Sequence, residues 1–237
     1  MYLTADYWGV VRNRIARDWG EEVHIFPIVR AAGDLSPHPM VDRYPGDEAY
    51  RSGRLCAEHM GRWVADVVEM FKNRTDRRLA GEVHRHISRE IELPVWSVSD
   101  EEYRAAKAYM ADPSNYPGGK PIDAFKYANE WTRIHRVEVD ERTVRTRINV
   151  TRLDDIMMLS IPFELYIAYA DRIRMRVPQT MIFDVELSYD NLGYLATREA
   201  VTGGNHNYSA NIFNGVCDPE GGELFIEYCI ETIRSLL

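Results

Sequence analysis

No helix can run through Val29-Arg30-Ala31-Ala32-Gly33-Asp34-Leu35-Ser36-Pro37-His38-Pro39, and that constraint shapes the chain on both sides of it. Pro27 lies just upstream, so the apolar run from Glu22 to Val29 has strand character and ends in a tight polar turn. Ala31, Ala32 and Gly33 are small enough for other backbone or a ligand to come close. Asp34 and Ser36 are turn formers, and Pro37 and Pro39 bias Ser36 and His38 toward extended conformations. A serine held beside an aspartate at a strand end suits a hydrolase, and the same residues also make an ordinary turn.

Hydrophobic spacing orders the rest. Tyr7, Val10, Val11, Ile15 and Trp19 predict a helix from Thr4, which Gly20 ends. A second helix starts at Pro45-Gly46-Asp47, with Cys56, Met60, Trp63, Val67 and Phe71 as its core-facing stripe. Glu82 to Leu93 alternates as a half-exposed strand, placing Val83, Ile87, Ile91 and Leu93 inward and His84 and His86 outward. Two imidazoles at that spacing suit zinc, but an exposed strand face explains them more simply. Ser99 and Glu102 have the capping-box spacing for a helix from Asp100 to Met110. Pro113 to Pro121 reads as a connector, and a helix then passes through Phe125, Ala128, Trp131 and His135.

Val144–Thr151 and Ile156–Ile161 form a hairpin about Leu153-Asp154-Asp155. Pro162 then suits the first turn of a helix running to about Val177, which places Glu164 at a helix start. Met181 to Ser188 is a further strand. Gly203-Gly204-Asn205-His206-Asn207-Tyr208 is a polar loop, and Gly221-Gly222 precedes a last helix whose apolar side is Leu224, Ile226, Cys229, Ile230, Ile233 and Leu237. The fold class is α/β, a mixed β-sheet core flanked by helices, in a single domain over residues 1–237.

Charge narrows the partners. A net charge of −8 without any basic run argues against nucleic acid or an anionic membrane as a general partner. No window has the apolar length of a transmembrane segment. Three cysteines cannot all pair within one chain, which favours a reducing compartment and a cytoplasmic location.

Three stretches together resemble the neutral/alkaline ceramidase family and its shorter bacterial relatives. Ala31-Ala32-Gly33-Asp34-Leu35-Ser36-Pro37-His38 is similar to that family's Gly-Asp-Val-Ser-Pro-Asn segment, so Ser36 corresponds to the active-site serine. Ile161-Pro162-Phe163-Glu164 is similar to the segment that supplies a zinc-ligating glutamate, which implies Glu164 as a ligand. The stretch from Tyr189 to Ala200 is similar to a segment whose second tyrosine ligates zinc, which implies Tyr194. The resemblance implies zinc as cofactor and hydrolysis of an N-acyl amide in a small molecule or lipid, with zinc polarising the carbonyl or activating a water and the serine assisting or attacking.

The family's two zinc-binding histidines lie upstream of the serine segment, where this chain offers only His24, outside any motif. The chain is therefore expected to be the C-terminal portion of a larger ceramidase-like catalytic domain, with little or no activity alone. His38 stands where the family tends to have asparagine. His206 falls where relatives carry a Tyr-Glu pair. Two function classes follow: an amidohydrolase of ceramidase type completed by the upstream histidines, or a non-catalytic relative of the same fold that binds a small molecule or partner. A metal-free serine hydrolase using Ser36 with Asp34 and His38 or His206 is the weakest alternative, because no Gly-x-Ser-x-Gly elbow is present.

Overall fold

The hairpin about Leu153-Asp154-Asp155 lies inside the sheet that carries most of the core. A computed structural model describes residues 5–20, 23–36, 53–72, 79–115, 123–203 and 208–237. The chain divides into two compact units, Met1–Ile28 with Ser36–Leu79, and Val29–Leu35 with Ala80–Leu237.

In the first unit, helix α1 (Asp6–Trp19) ends at Gly20 as expected, and α2 spans Gly53–Phe71. Arg14 of α1 holds Asp66 at 2.6 Å and Glu69 at 3.0 Å on α2, and Lys72 lies over the Trp19 ring. Of the stripe expected on α2, Cys56 is buried, but Trp63 is 60% exposed and Val67 and Phe71 are also exposed, whereas Gly61 and Ala65 are buried. Small residues let the two helices approach closely, and close approach decides the packing face. Pro45-Gly46-Asp47 lies outside the described residues. The strand expected over Glu22–Val29 is also corrected, since residues 23–30 have no regular secondary structure.

The second unit is a sheet with strand order β1-β2-β3-β5, built from β1 (His84–Pro94), β2 (Thr143–Leu153), β3 (Ile156–Ser160) and β5 (Met181–Val185). The first two pairings are antiparallel, and β3 pairs with β5 in parallel. Parallel neighbours need a crossover. It contains β4 (Glu164–Leu165) and helix α5 (Ile167–Arg176). Ile91, Leu93, Ile148, Val150, Met157 and Leu159 belong to one buried cluster with Tyr169 and Ile173 of α5. Phe225, Ile226, Cys229 and Ile230 complete it from α7 (Pro219–Arg234). The other sheet face carries cross-strand pairs, Glu90 with Arg147, Glu92 with Arg145, and His86 Nδ1 2.9 Å from Thr151 Oγ1. Arg172 and Arg176 of α5 grip Glu223 and Glu227 of α7 two-pronged.

The remaining elements are α3 (Asp100–Ala111), with both arms of the Ser99/Glu102 capping box made, α4 (Ala124–Glu138), β6 (Tyr194–Leu195) and α6 (Arg198–Thr202). Asp218 caps α7, so Gly221 and Gly222 sit inside its first turn rather than before it. Among the described residues, no helix is long and apolar enough to cross a membrane.

Candidate functional site

Glu164 is not at a helix start. Its N–H donates to Gly193 O at 2.9 Å, the Leu165 N–H donates to a Glu186 carboxylate oxygen at 2.6 Å, and α5 begins only at Ile167. These bonds to distant chain outweigh the local preference of Pro162 for a first helical turn, and Glu164-Leu165 becomes a two-residue strand. It pairs in parallel with β6, and the register sets Glu164 against Tyr194. The carboxylate at the N-terminus of α5 is that of Asp34, whose Oδ1 accepts from Ile167 N at 2.9 Å.

The turn that carries Asp34 is bound to the same edge. Gly33 N donates to Leu165 O at 2.9 Å. A Cβ on Gly33 would lie 2.3 Å from Glu164 O, so only glycine allows this approach. Gly193, the neighbour of Tyr194, has φ +72°, and a Cβ there would meet Asn214 O at 2.1 Å. Two carboxylates beyond the end of the serine turn fasten it further. Asp184 Oδ2 accepts from Ala31 N at 2.7 Å, and Glu186 Oε1 accepts from Ala32 N at 3.0 Å. Arg174 pairs with Asp184. Burial pushes the Glu186 carboxyl up, and its bonds from Ala32 and Leu165 oppose that.

The Tyr194 side chain meets two partners. Its hydroxyl is 3.0 Å from that of Tyr208, the rings stand nearly perpendicular, and Glu164 is a second hydrogen-bonding neighbour. Burial foremost, then Tyr208 and Glu164, raises the Tyr194 hydroxyl well above an ordinary phenol. Tyr166, two residues after Glu164, shares a buried 2.7 Å hydrogen bond with Ser209. Three of the stretches singled out in the sequence thus converge in the second unit at Gly33-Asp34, Glu164 and Tyr194. Ser36 follows Leu35 at the unit boundary, is exposed and belongs to the first unit. His38 and His206 lie outside the described residues.

Zinc takes about four N, O or S donors. Glu164 and Tyr194 provide a carboxylate and a phenol side by side, which fits half of such a set. Among the described residues no group of three or more His, Cys, Asp or Glu side chains is arranged to hold a metal. His84 and His86 lie on the exposed strand face, and among the described residues they belong to no such group. A cavity of about 430 Å³ lined by Trp96, Arg136, Asp218 and neighbours is elsewhere in the second unit and includes none of the site residues.

Asp184, Glu186, Tyr208 and Ser209 were not singled out in the sequence. The acids sit at alternating positions of a strand and its extension, where exposure is the default expectation. The only pointer to Tyr208 and Ser209 was the polar loop that ends at Tyr208 and that Ser209 follows.

No protein-family model matches the sequence, and no curated protein matches it. Among solved structures, neutral ceramidase from Pseudomonas aeruginosa is similar, with a TM-score of 0.57 and 12% identity over 98% of this chain and 41% of that one. A ceramidase complexed with C2 gives a TM-score of 0.47 and 10% identity over 77% of this chain and 35% of that one. The likeness to the Pseudomonas enzyme is one of fold, the mixed sheet flanked by helices, and this chain spans about two fifths of that protein's length.

Proposed function

We propose that this chain carries the serine, glutamate and tyrosine portion of a ceramidase-type zinc site that hydrolyses an N-acyl amide. One observation supports the reading above all. Gly33-Asp34, Glu164 and Tyr194, distant in sequence, meet along one two-stranded edge, and the chain has the fold of a neutral ceramidase over nearly its whole length.

In this reading Glu164 and Tyr194 hold zinc, and Ser36 attacks or assists at the amide carbonyl. When bound, zinc supplies Lewis-acid polarisation of that carbonyl or of a water. The chain's own groups orient these parts. Tyr208 meets the Tyr194 hydroxyl and fixes where it points. Asp34 ties the serine turn to the start of α5, and the Gly33 contact keeps that turn against the Glu164 backbone. The substrate in this reading is a small or lipid-like N-acyl amide.

Zinc titration of the 237-residue chain tests this. Glu164→Ala and Tyr194→Phe are each expected to weaken zinc binding about tenfold or more, the scale expected when a metal site is disturbed. Ser36→Ala leaves zinc affinity unchanged while abolishing whatever hydrolysis of a long-chain N-acyl amide the protein supports. Zinc affinity unmoved in both ligand variants overturns the metal assignment. Hydrolysis retained in Ser36→Ala removes the serine from the mechanism.

A further inference from the structure

We propose that Glu186 is a positioning residue that couples the serine turn to the strand carrying Glu164, an inference that rests on the functional reading above. A single oxygen makes the connection. Glu186 Oε1 accepts the N–H of Ala32 at 3.0 Å and the N–H of Leu165 at 2.6 Å, while the Glu186 N–H itself donates to Val29 O at 2.9 Å. The residue therefore holds the entry to the turn at Val29 and Ala32 and the candidate ligand strand at Leu165. Leu165 is the immediate neighbour of Glu164, so where Glu186 places one segment it places the other.

The choice of a carboxylate for this task is physically costly. Glu186 is only 9% exposed, and among the described residues it has no ion-pair partner, whereas its neighbour in the same cluster, Asp184, has Arg174. Burying an unpaired carboxylate is unfavourable unless hydrogen bonds replace its water. Two backbone N–H groups do so here, and bonds to an ionised acceptor are shorter and roughly twice as strong as neutral ones. A turn needing only closure would use a backbone carbonyl, as Gly33 does with Leu165. The backbone around Glu186 is also under strain, because Leu187 at φ 49° and Tyr189 at φ 79° both occupy the left-handed region that side chains disfavour. Ser188 between them closes the bend, its N–H donating to Ile161 O at 3.1 Å and its hydroxyl accepting from Ile161 N at 3.1 Å. Strain of this kind persists where surrounding structure enforces it, and it ends the β5 strand with the Glu186 carboxylate directed at both segments.

Asp184 and Glu186 consequently differ in role. Asp184 takes one N–H, from Ala31, and its charge is compensated by Arg174. Glu186 bridges two segments, and among the described residues its charge is compensated by backbone N–H groups.

Amide hydrogen exchange and zinc titration on the same variants test the proposal. Glu186→Ala is expected to speed exchange at Ala32 and Leu165 together by about tenfold or more, with the β1–β2 amides unchanged as the measure of global folding, and to weaken zinc binding about tenfold. Glu186→Asp keeps the charge but is a methylene too short to reach both N–H groups. It is expected to give the same two losses, and it decides the matter if the alanine variant does not fold. Glu186→Gln keeps the reach and an acceptor oxygen and is expected to restore both readouts to within about threefold of the parent. Exchange that rises at one of the two amides only, or at neither, overturns the coupling. Exchange that rises at both with zinc affinity unmoved reduces Glu186 to a structural residue and overturns its positioning role, provided that Glu164→Ala does weaken zinc. If Glu164→Ala also leaves zinc unmoved, the functional reading has failed, and the exchange result alone decides whether the two segments are coupled.

Discussion

Gly33 has no room for a side chain. Its missing Cβ is what allows the serine turn to lie against the Glu164 carbonyl, 2.3 Å from where that atom would stand. Gly33→Ala must push the turn or the strand aside, and overpacking of this kind costs about 1–3 kcal/mol. Urea unfolding is expected to show that loss. A variant within about 0.5 kcal/mol of the parent would mean that turn and strand are not held together in solution. The residues legible in the sequence were those whose local chemistry is unusual: a glycine and an aspartate between prolines, a glutamate after Pro162, a tyrosine after a turn. Asp184 and Glu186 were not legible, because an acid on an alternating strand looks the same whether it faces water or takes buried backbone N–H groups.

Elements were most legible where signals are local. The Ser99/Glu102 capping box, the Gly20 stop and the Leu153-Asp154-Asp155 hairpin all stand where side-chain chemistry within a few residues placed them. The start of α5 is not legible locally because its determinants come from elsewhere: Gly193 O, Glu186 and Asp34 accept from the N–H groups of Glu164, Leu165 and Ile167. The exposure of Trp63, Val67 and Phe71 on α2 has a related reason, since which face is buried depends on the partner helix. Between α5 and α7, the Arg172 and Arg176 guanidiniums hold the Glu223 and Glu227 carboxyls below the ordinary value of 4.5. A carboxyl lowered in the folded state adds stability that is present above its unfolded value and is lost as pH falls through the lowered folded value. Thermal unfolding between about pH 5 and pH 3 is therefore expected to shift downward less steeply in a Glu223→Gln, Glu227→Gln double variant than in the parent. Equal slopes would show that these exposed pairs contribute nothing measurable, and added salt should shrink the difference.

At the scale of the whole molecule, the alternation of Glu82–Leu93 and the hairpin after it were enough to place an α/β core, because a half-buried sheet writes its period directly into the chain. The site was legible only as three separate stretches. Their convergence depends on the parallel crossover from β3 through α5 to β5 and on the short β4–β6 pairing, neither of which leaves a local mark. The fold is shared with a neutral ceramidase, and the proposed function gives these stretches one purpose: Glu164 and Tyr194 together bind zinc. Crystals of the chain grown with zinc and measured across the zinc absorption edge test it most directly. An anomalous peak is expected about 2.0–2.2 Å from a Glu164 carboxylate oxygen and within bonding range of the Tyr194 hydroxyl. A zinc peak bound elsewhere with that pair empty, or no peak at saturating zinc, would contradict it.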